Sequence, residues 1–135
     1  MAGRAGQRHA RSLALALTRG VVGGIFFFVG ITHFGNHESE VADFRRWELP
    51  VPDVAPYVVG VFEVVVGGLL LLGVRPRIAA ALLACESLGI IATAGRIDGG
   101  EQLVLPPILL ACCLVLAALG GGAYQLSSRL RRPAA

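Results

Sequence analysis

Apolar residues gather into four long runs, roughly 12–34, 54–74, 78–95 and 103–126, with short polar stretches between them. Each run is about the 20 residues that a helix needs to cross the hydrocarbon core of a bilayer. Inside hydrocarbon every backbone polar group needs an internal partner. Four closely spaced spans therefore predict an all-α integral membrane four-helix bundle. The loops are short and no linker separates folding units, so residues 1–135 read as a single membrane domain.

The polar residues sort by sign between the runs. Arg4, Arg8, Arg11, Arg19, Arg75, Arg77, Arg129, Arg131 and Arg132 fall on one side with no acid among them. The other side carries Glu38, Glu40, Asp43, Glu48, Asp53, Asp98 and Glu101, with only Arg45, Arg46 and Arg96. Basic loops stay in the cytoplasm, so this segregation predicts that both termini are cytoplasmic. Segments 35–53 and 96–102 are then outside.

Small residues recur within the runs at intervals that let helix backbones approach. Gly20 and Gly24 form such a pair in the first run, Ala80 and Ala84 in the third, and Cys113, Ala117 and Gly121 continue the interval in the fourth. Gly73-Val74-Arg75-Pro76-Arg77 is short enough only for a tight hairpin, with Pro76 opening the third helix. Pro106 and Pro107 place the regular start of the fourth helix near themselves, with 103–105 as an interfacial approach. In the first outer loop Val41, Phe44 and Trp47 recur every three residues. That spacing fits a short helix on the membrane interface with Trp47 at headgroup depth, or a plain irregular loop.

Composition removes several classes of function. The chain is 55% hydrophobic in 135 residues and leaves no room for a soluble domain. Its +3 charge comes from arginines spread over three segments, which suits topology and anionic headgroups rather than nucleic acid. Abundant Ala, Gly and Arg without lysine is the codon signature of a GC-rich bacterial genome. Arg19 follows the short apolar stretch 13–17 without a cleavage site, so the first span reads as uncleaved. Cys85, Cys112 and Cys113 sit within spans with no CxxC spacing. They read as small buried thiols in helix packing, not a disulfide or zinc framework.

The candidate chemistry lies inside the membrane. Glu63 is central in the second run and Glu86 in the third, so both are expected near mid-depth. An ionisable group there costs several kcal/mol unless neutralised, paired or hydrated. Gly60 and Gly67 share a helix face with Glu63, and Ala79, Gly89 and Thr93 share one with Glu86. Small-residue faces pack inward. The hairpin joining these spans predicts that the two carboxyls are neighbours. Two such groups in low dielectric cannot both stay ionised cheaply, which suits proton handling or ligand binding. A protonated carboxyl that only bonds a neighbouring helix is the structural alternative.

The first span carries a second polar stripe, in which Arg19, Gly23, Phe26, Gly30 and His33 fall on one face. His33 is near the outer end, within reach of an outer-loop acid. His37 lies four residues on, a spacing that binds metal on a continuous helix. Gly35 and Asn36 end the helix between them, so no metal site is expected.

Arg19-Gly20-Val21-Val22-Gly23-Gly24-Ile25-Phe26-Phe27-Phe28-Val29-Gly30-Ile31-Thr32-His33-Phe34 resembles the first helix of the DoxX family. Leu49-Pro50-Val51-Pro52 is similar to that family's LPxP approach to its second helix. The stretch from Gly60 through Glu63 and Gly67 to Gly73 resembles its GxxELxxGxLLLLG signature. The resemblance covers roughly 19–94 and carries over Arg19, Gly30, Gly60 and Glu63. His33 stands where the family frequently has lysine, so a permanent positive charge is not given at that position. Glu86 and the cysteines match no signature.

The resemblance implies a multi-pass protein of the bacterial inner membrane associated with redox, oxidative-stress or quinone-handling systems. An accessory subunit with a redox-enzyme partner and a quinone-like molecule is the leading reading. A small proton-coupled transporter or hydrophobic-ligand-binding protein is the second, and a structural scaffold or homo-oligomer without ligand is the third. No nucleotide loop, haem histidine pair or redox thiol pair supports an independent enzyme, and no cofactor is evident. No inverted repeat supports alternating access.

Overall fold

The computed structural model describes residues 2–131. Among them there are helices and turns and no strand. Helix α1 spans Ala2–Thr32, α2 His37–Arg46, α3 Ala55–Leu72 and α4 Pro76–Ile90. A π turn at Ile91–Gly95 and a helical turn at Arg96–Asp98 prolong α4. A 3-10 turn at Gly100–Leu103 leads to α5, Leu105–Leu119, and a short α6 covers Leu126–Leu130. Four stretches are long and apolar enough to cross a membrane: Gly3–Thr32, Ala55–Leu72, Pro76–Asp98 and Gly100–Leu119. Arg132, and the last residues after it, lie outside the described residues.

Helix α1 begins ten residues earlier than the apolar pattern predicts, at Ala2 rather than Ser12. Ala, Arg, Gln and Leu all favour helix, and arginines on an exposed helix remain solvated. Its 31 residues extend to about 46 Å, well beyond a hydrocarbon core of about 30 Å. The first turns therefore project past the apolar layer.

The fourth span ends earlier than expected, at Leu119 instead of Leu126. Gly120 and Gly122 take φ of 88° and 71°, a left-handed backbone that glycine enters without a Cβ penalty. Gly121 consequently lies past the helix, and the expected run of small residues stops at Ala117. Pro76 does open α4, and the proline pair lies in the first turn of α5. The first outer loop holds α2, so the helical alternative is the one present.

Helix α1 packs chiefly on α3, and α4 chiefly on α5. The hairpin of α3 and α4 is tight in sequence but is the lesser contact. Four glycines make the first pairing close. A Cβ added at Gly23 would lie 2.9 Å from the carbonyl oxygen of Gly67, and one at Gly30 would lie 2.9 Å from that of Gly60. Each pair is spaced seven residues apart on its helix, so two contacts one heptad apart fix the register. Gly20 and Gly24 meet nothing within 4 Å and do not form the expected packing pair. The face that packs belongs to Arg19, Gly23, Phe26 and Gly30, all buried.

Between the helix pairs lies an apolar core that includes Val22, Phe26, Leu70, Leu83, Cys113 and Leu116. Ala80 and Ala84 are both buried in it. Cys113 fits the expectation of a packed thiol, but Cys85 is exposed on the lateral surface. Large apolar side chains such as Phe28, Val58, Val61, Ile108 and Leu114 also point outward. That inverts the pattern of a water-soluble protein and suits lipid as the solvent.

At one end of the molecule α2 lies over the mouth of the α1–α3 pair. Arg46 holds Asp98 at the end of α4 by two hydrogen bonds, 3.0 and 2.7 Å long, and the indole of Trp47 donates to the same carboxylate. Arg45 pairs with Asp53 at 2.9 Å. Phe44 is buried beneath α2 and meets Trp47 and the ring of His33.

Candidate functional site

His33 follows the last residue of α1, where α2 folds back over it. Its Nδ1 is 2.7 Å from Glu40 Oε2 on α2. Its Nε2 is 3.1 Å from Glu63 Oε2 on α3. The second contact is close enough to pair charges but lacks hydrogen-bond alignment, and Glu63 Oε2 is a buried oxygen with no hydrogen-bond partner. Side-chain exposure falls from 22% at Glu40 through 12% at His33 to 3% at Glu63. The three groups thus run from the surface into the interior.

The two carboxyl groups face different ring nitrogens, Glu40 at Nδ1 and Glu63 at Nε2. A carboxylate at Nδ1 takes the Nδ1 proton as a donated hydrogen bond, which leaves Nε2 as the exchanging nitrogen. At 3.1 Å a small reorientation aligns Nε2 with Glu63 Oε2, and a proton can then pass between imidazolium and carboxylate to give neutral imidazole and carboxylic acid. This is the logic of a base oriented by a carboxylate on its far side. A lysine at position 33 has a single nitrogen, so it could not be anchored on Glu40 through one atom while exchanging a proton at another.

Glu63 owes its position to glycine. A Cβ at Gly30 would lie 2.8 Å from the Cβ of Glu63, so only a glycine lets α1 close over this residue. Gly60, one turn before, faces the Cβ of His33 at a comparable separation. The same four-glycine contact therefore packs the helices and holds His33 against Glu63.

One wall of a cavity of about 480 Å³ is Glu63. Phe26, Val29, Ile90 and Leu109 make its sides mainly apolar, and Glu101 and Gln102 contribute the remaining polar groups. That volume holds a ligand of one or two rings, and a few polar groups on an apolar wall is the usual make-up of a small-molecule site. Ile90 leads directly into the π turn, whose widened backbone is often found beside functional sites.

Glu86 is not on the cavity wall. It is half-buried on α4, within electrostatic range of Glu63 and His33, and its Oε2 is buried without a hydrogen-bond partner. Its expected small-residue face is only partly packed: Ala79 is buried, whereas Gly89 meets nothing within 4 Å. Arg19 stands apart from the other candidates. Its guanidinium is buried beside the middle of α1, about four turns before His33, and donates to the carbonyls of Gly121, Ala123 and Tyr124 at 2.9, 3.0 and 3.2 Å. It ties the C-terminal segment to the bundle. His37 stacks on Tyr57 with ring centroids 4.2 Å apart. Among the described residues no group of three His, Cys, Asp or Glu side chains is arranged to hold a metal ion.

The DoxX family model matches residues 14–96. The chain belongs to the DoxX family. The match runs from the first half of α1 through α2 and α3 to just past the π turn of α4, and so contains His33, Glu40, Glu63 and Glu86. It stops before α5, which supplies Leu109 to the cavity of this DoxX protein. No curated protein and no solved structure matches the chain.

Proposed function

We propose that this DoxX protein binds a quinone-like molecule beside Glu63 and serves as an accessory subunit of a redox system in the bacterial inner membrane. The observation that carries the proposal is Glu63 itself, a buried carboxyl on an apolar cavity wall, connected through His33 to Glu40 near the surface. A quinone ring is flat and apolar with carbonyl acceptors at its edge. Phe26, Val29 and Leu109 suit the ring, and a protonated Glu63 suits a carbonyl oxygen as hydrogen-bond donor. His33 Nε2 restores the proton, with Nδ1 anchored on Glu40. The electrons for converting a quinone to a quinol come in this reading from a redox-enzyme partner. The charge distribution supports an orientation with both termini cytoplasmic, which places α2 and the cavity mouth outside.

A second reading, a small proton-coupled transporter or carrier of an apolar cation, draws on the two unpartnered carboxyl oxygens of Glu63 and Glu86. Equilibrium binding in nanodiscs separates the two. The probes are a short-tailed benzoquinone and tetraphenylphosphonium. The quinone reading expects saturable benzoquinone binding, weakened about tenfold or more by Glu63→Leu through loss of one hydrogen bond, and kept by Glu63→Gln. The cation reading expects tetraphenylphosphonium binding that Glu63→Gln abolishes. Binding of neither probe leaves the polar groups as packing elements of a scaffold.

A further inference from the structure

At the end of the molecule opposite α2, a second cleft of about 580 Å³ lies between the α3–α4 hairpin, the end of α5 and α6. Arg75, Arg77 and Arg131 line it. They come from two places in the chain: Arg75 and Arg77 from the hairpin that opens α4, and Arg131 from the residue after α6. Among the described residues none of the three has a carboxylate within 4 Å, whereas each of Arg45, Arg46 and Arg96 at the other end has one. Like charges brought together without a counter-charge repel one another, and an anion between them relieves this.

The backbone also accommodates these guanidinium groups. Arg75 has φ 44° and ψ 56°, a left-handed conformation uncommon for a long side chain and more easily met by Gly or Asn. Arg77 crosses over Gly120, where a Cβ would lie 3.3 Å from its Nε and 3.7 Å from its Nη2. The glycine leaves that space to the guanidinium. Two further features describe the anion. Ile78 and Leu119 line the same cleft and are exposed on the lateral, lipid-facing surface. The site therefore combines exposed positive charge with apolar side chains on the lateral surface.

We propose that this cleft binds the phosphate of an anionic lipid headgroup, with acyl chains running along Ile78 and Leu119. Guanidinium groups pair with phosphate oxygens through charge-assisted, bidentate hydrogen bonds. Basic pockets between helices are a recurrent form of headgroup site. The proposal is independent of the cavity at Glu63.

The test is lipid titration of the delipidated full-length protein, with occupancy read by native mass spectrometry. The probes are phosphatidylglycerol, cardiolipin and phosphatidylcholine, each with and without excess inorganic phosphate. Retention of the two anionic lipids over phosphatidylcholine is expected. The combined variant Arg75→Gln, Arg77→Gln, Arg131→Gln should lower their occupancy about tenfold. The control Arg4→Gln, Arg8→Gln, Arg11→Gln removes the same charge from exposed positions of α1 and should leave occupancy nearly unchanged. Circular dichroism reports folding, and Arg131→Gln alone, in the C-terminal segment, gives a milder loss if the combined variant does not fold. Equal losses in both triple variants, or equal binding of phosphatidylcholine, overturn the site. Displacement of the lipid by inorganic phosphate assigns the cleft to a soluble phosphate and overturns the lipid assignment.

Discussion

Gly30 of α1 lies directly against Glu63 of α3: a Cβ at position 30 would be 2.8 Å from the Cβ of Glu63 and 2.8 Å from the amide nitrogen of Val64. Rigid backbone on one side and an ionisable side chain on the other leave no room for a larger residue. The carboxyl is buried because its helix partner has no side chain there.

Gly30→Ala and Gly67→Leu should therefore destabilise the detergent-solubilised protein, by about 1–3 kcal/mol or more through overpacking. Gly24→Leu should be close to neutral, since nothing lies within 4 Å of that position. Gly73→Leu should destabilise as well, because the φ of 73° and the contact with Arg19 penalise any side chain there. Thermal unfolding measures the difference. Equal melting temperatures for Gly67→Leu and Gly24→Leu would count against the close α1–α3 contact.

Arg19 should act on the C-terminal segment and not on ligand binding. Arg19→Ala leaves three carbonyl oxygens without their charged donor, each such bond being worth about 1.5–3 kcal/mol. Hydrogen exchange is expected to rise across residues 120–127, while benzoquinone affinity stays near that of the unaltered protein. Loss of affinity with unchanged exchange would place Arg19 in the ligand site after all.

Helix α2 should be held down by the Arg46–Asp98 contact. The groups are solvent-exposed, so Asp98→Asn should leave global stability nearly unchanged. It should, however, broaden the distance distribution between spin labels on α2 and on α4. An unchanged distribution would show that Phe44 and its neighbours alone seat the helix.

Topology is open to a direct check. Reporter fusions at Arg77 and after Ala135 should both report cytoplasm, and a fusion within 35–53 should report the outside. A periplasmic signal at Arg77 would reverse the orientation of the cavity.

Much of the architecture is legible in the sequence, because hydrocarbon leaves a chain few options. The number of spans, the hairpin at Gly73–Arg77 and the proline starts of α4 and α5 follow from run length and from where proline is tolerated. Span ends are less legible: Ser12 looks like a boundary, yet Arg-rich α1 stays helical back to Ala2. Choice of helix partner is not legible from short small-residue intervals. Gly20 and Gly24 have the favoured spacing and face away, whereas Gly23, Gly30, Gly60 and Gly67 make the contact at heptad spacing. The matching seven-residue intervals in the two runs were the available signal. Glu63 and His33 stand out by their depth and their stripe. Glu40 does not, since its part depends on α2 folding back over the end of α1, and nothing in a ten-residue polar helix states where it docks.

The most direct test of the central claim is the infrared carbonyl stretch of a benzoquinone bound to the reconstituted protein. A hydrogen bond from the carboxyl of Glu63 lengthens the quinone C=O bond and lowers its stretching frequency. A downshifted band is predicted for the unaltered protein and for Glu63→Gln, whose amide also donates. An unshifted band is predicted for Glu63→Leu. A downshift that persists unchanged in Glu63→Leu, with the quinone still bound, would contradict the assignment of Glu63 as the ligand's partner.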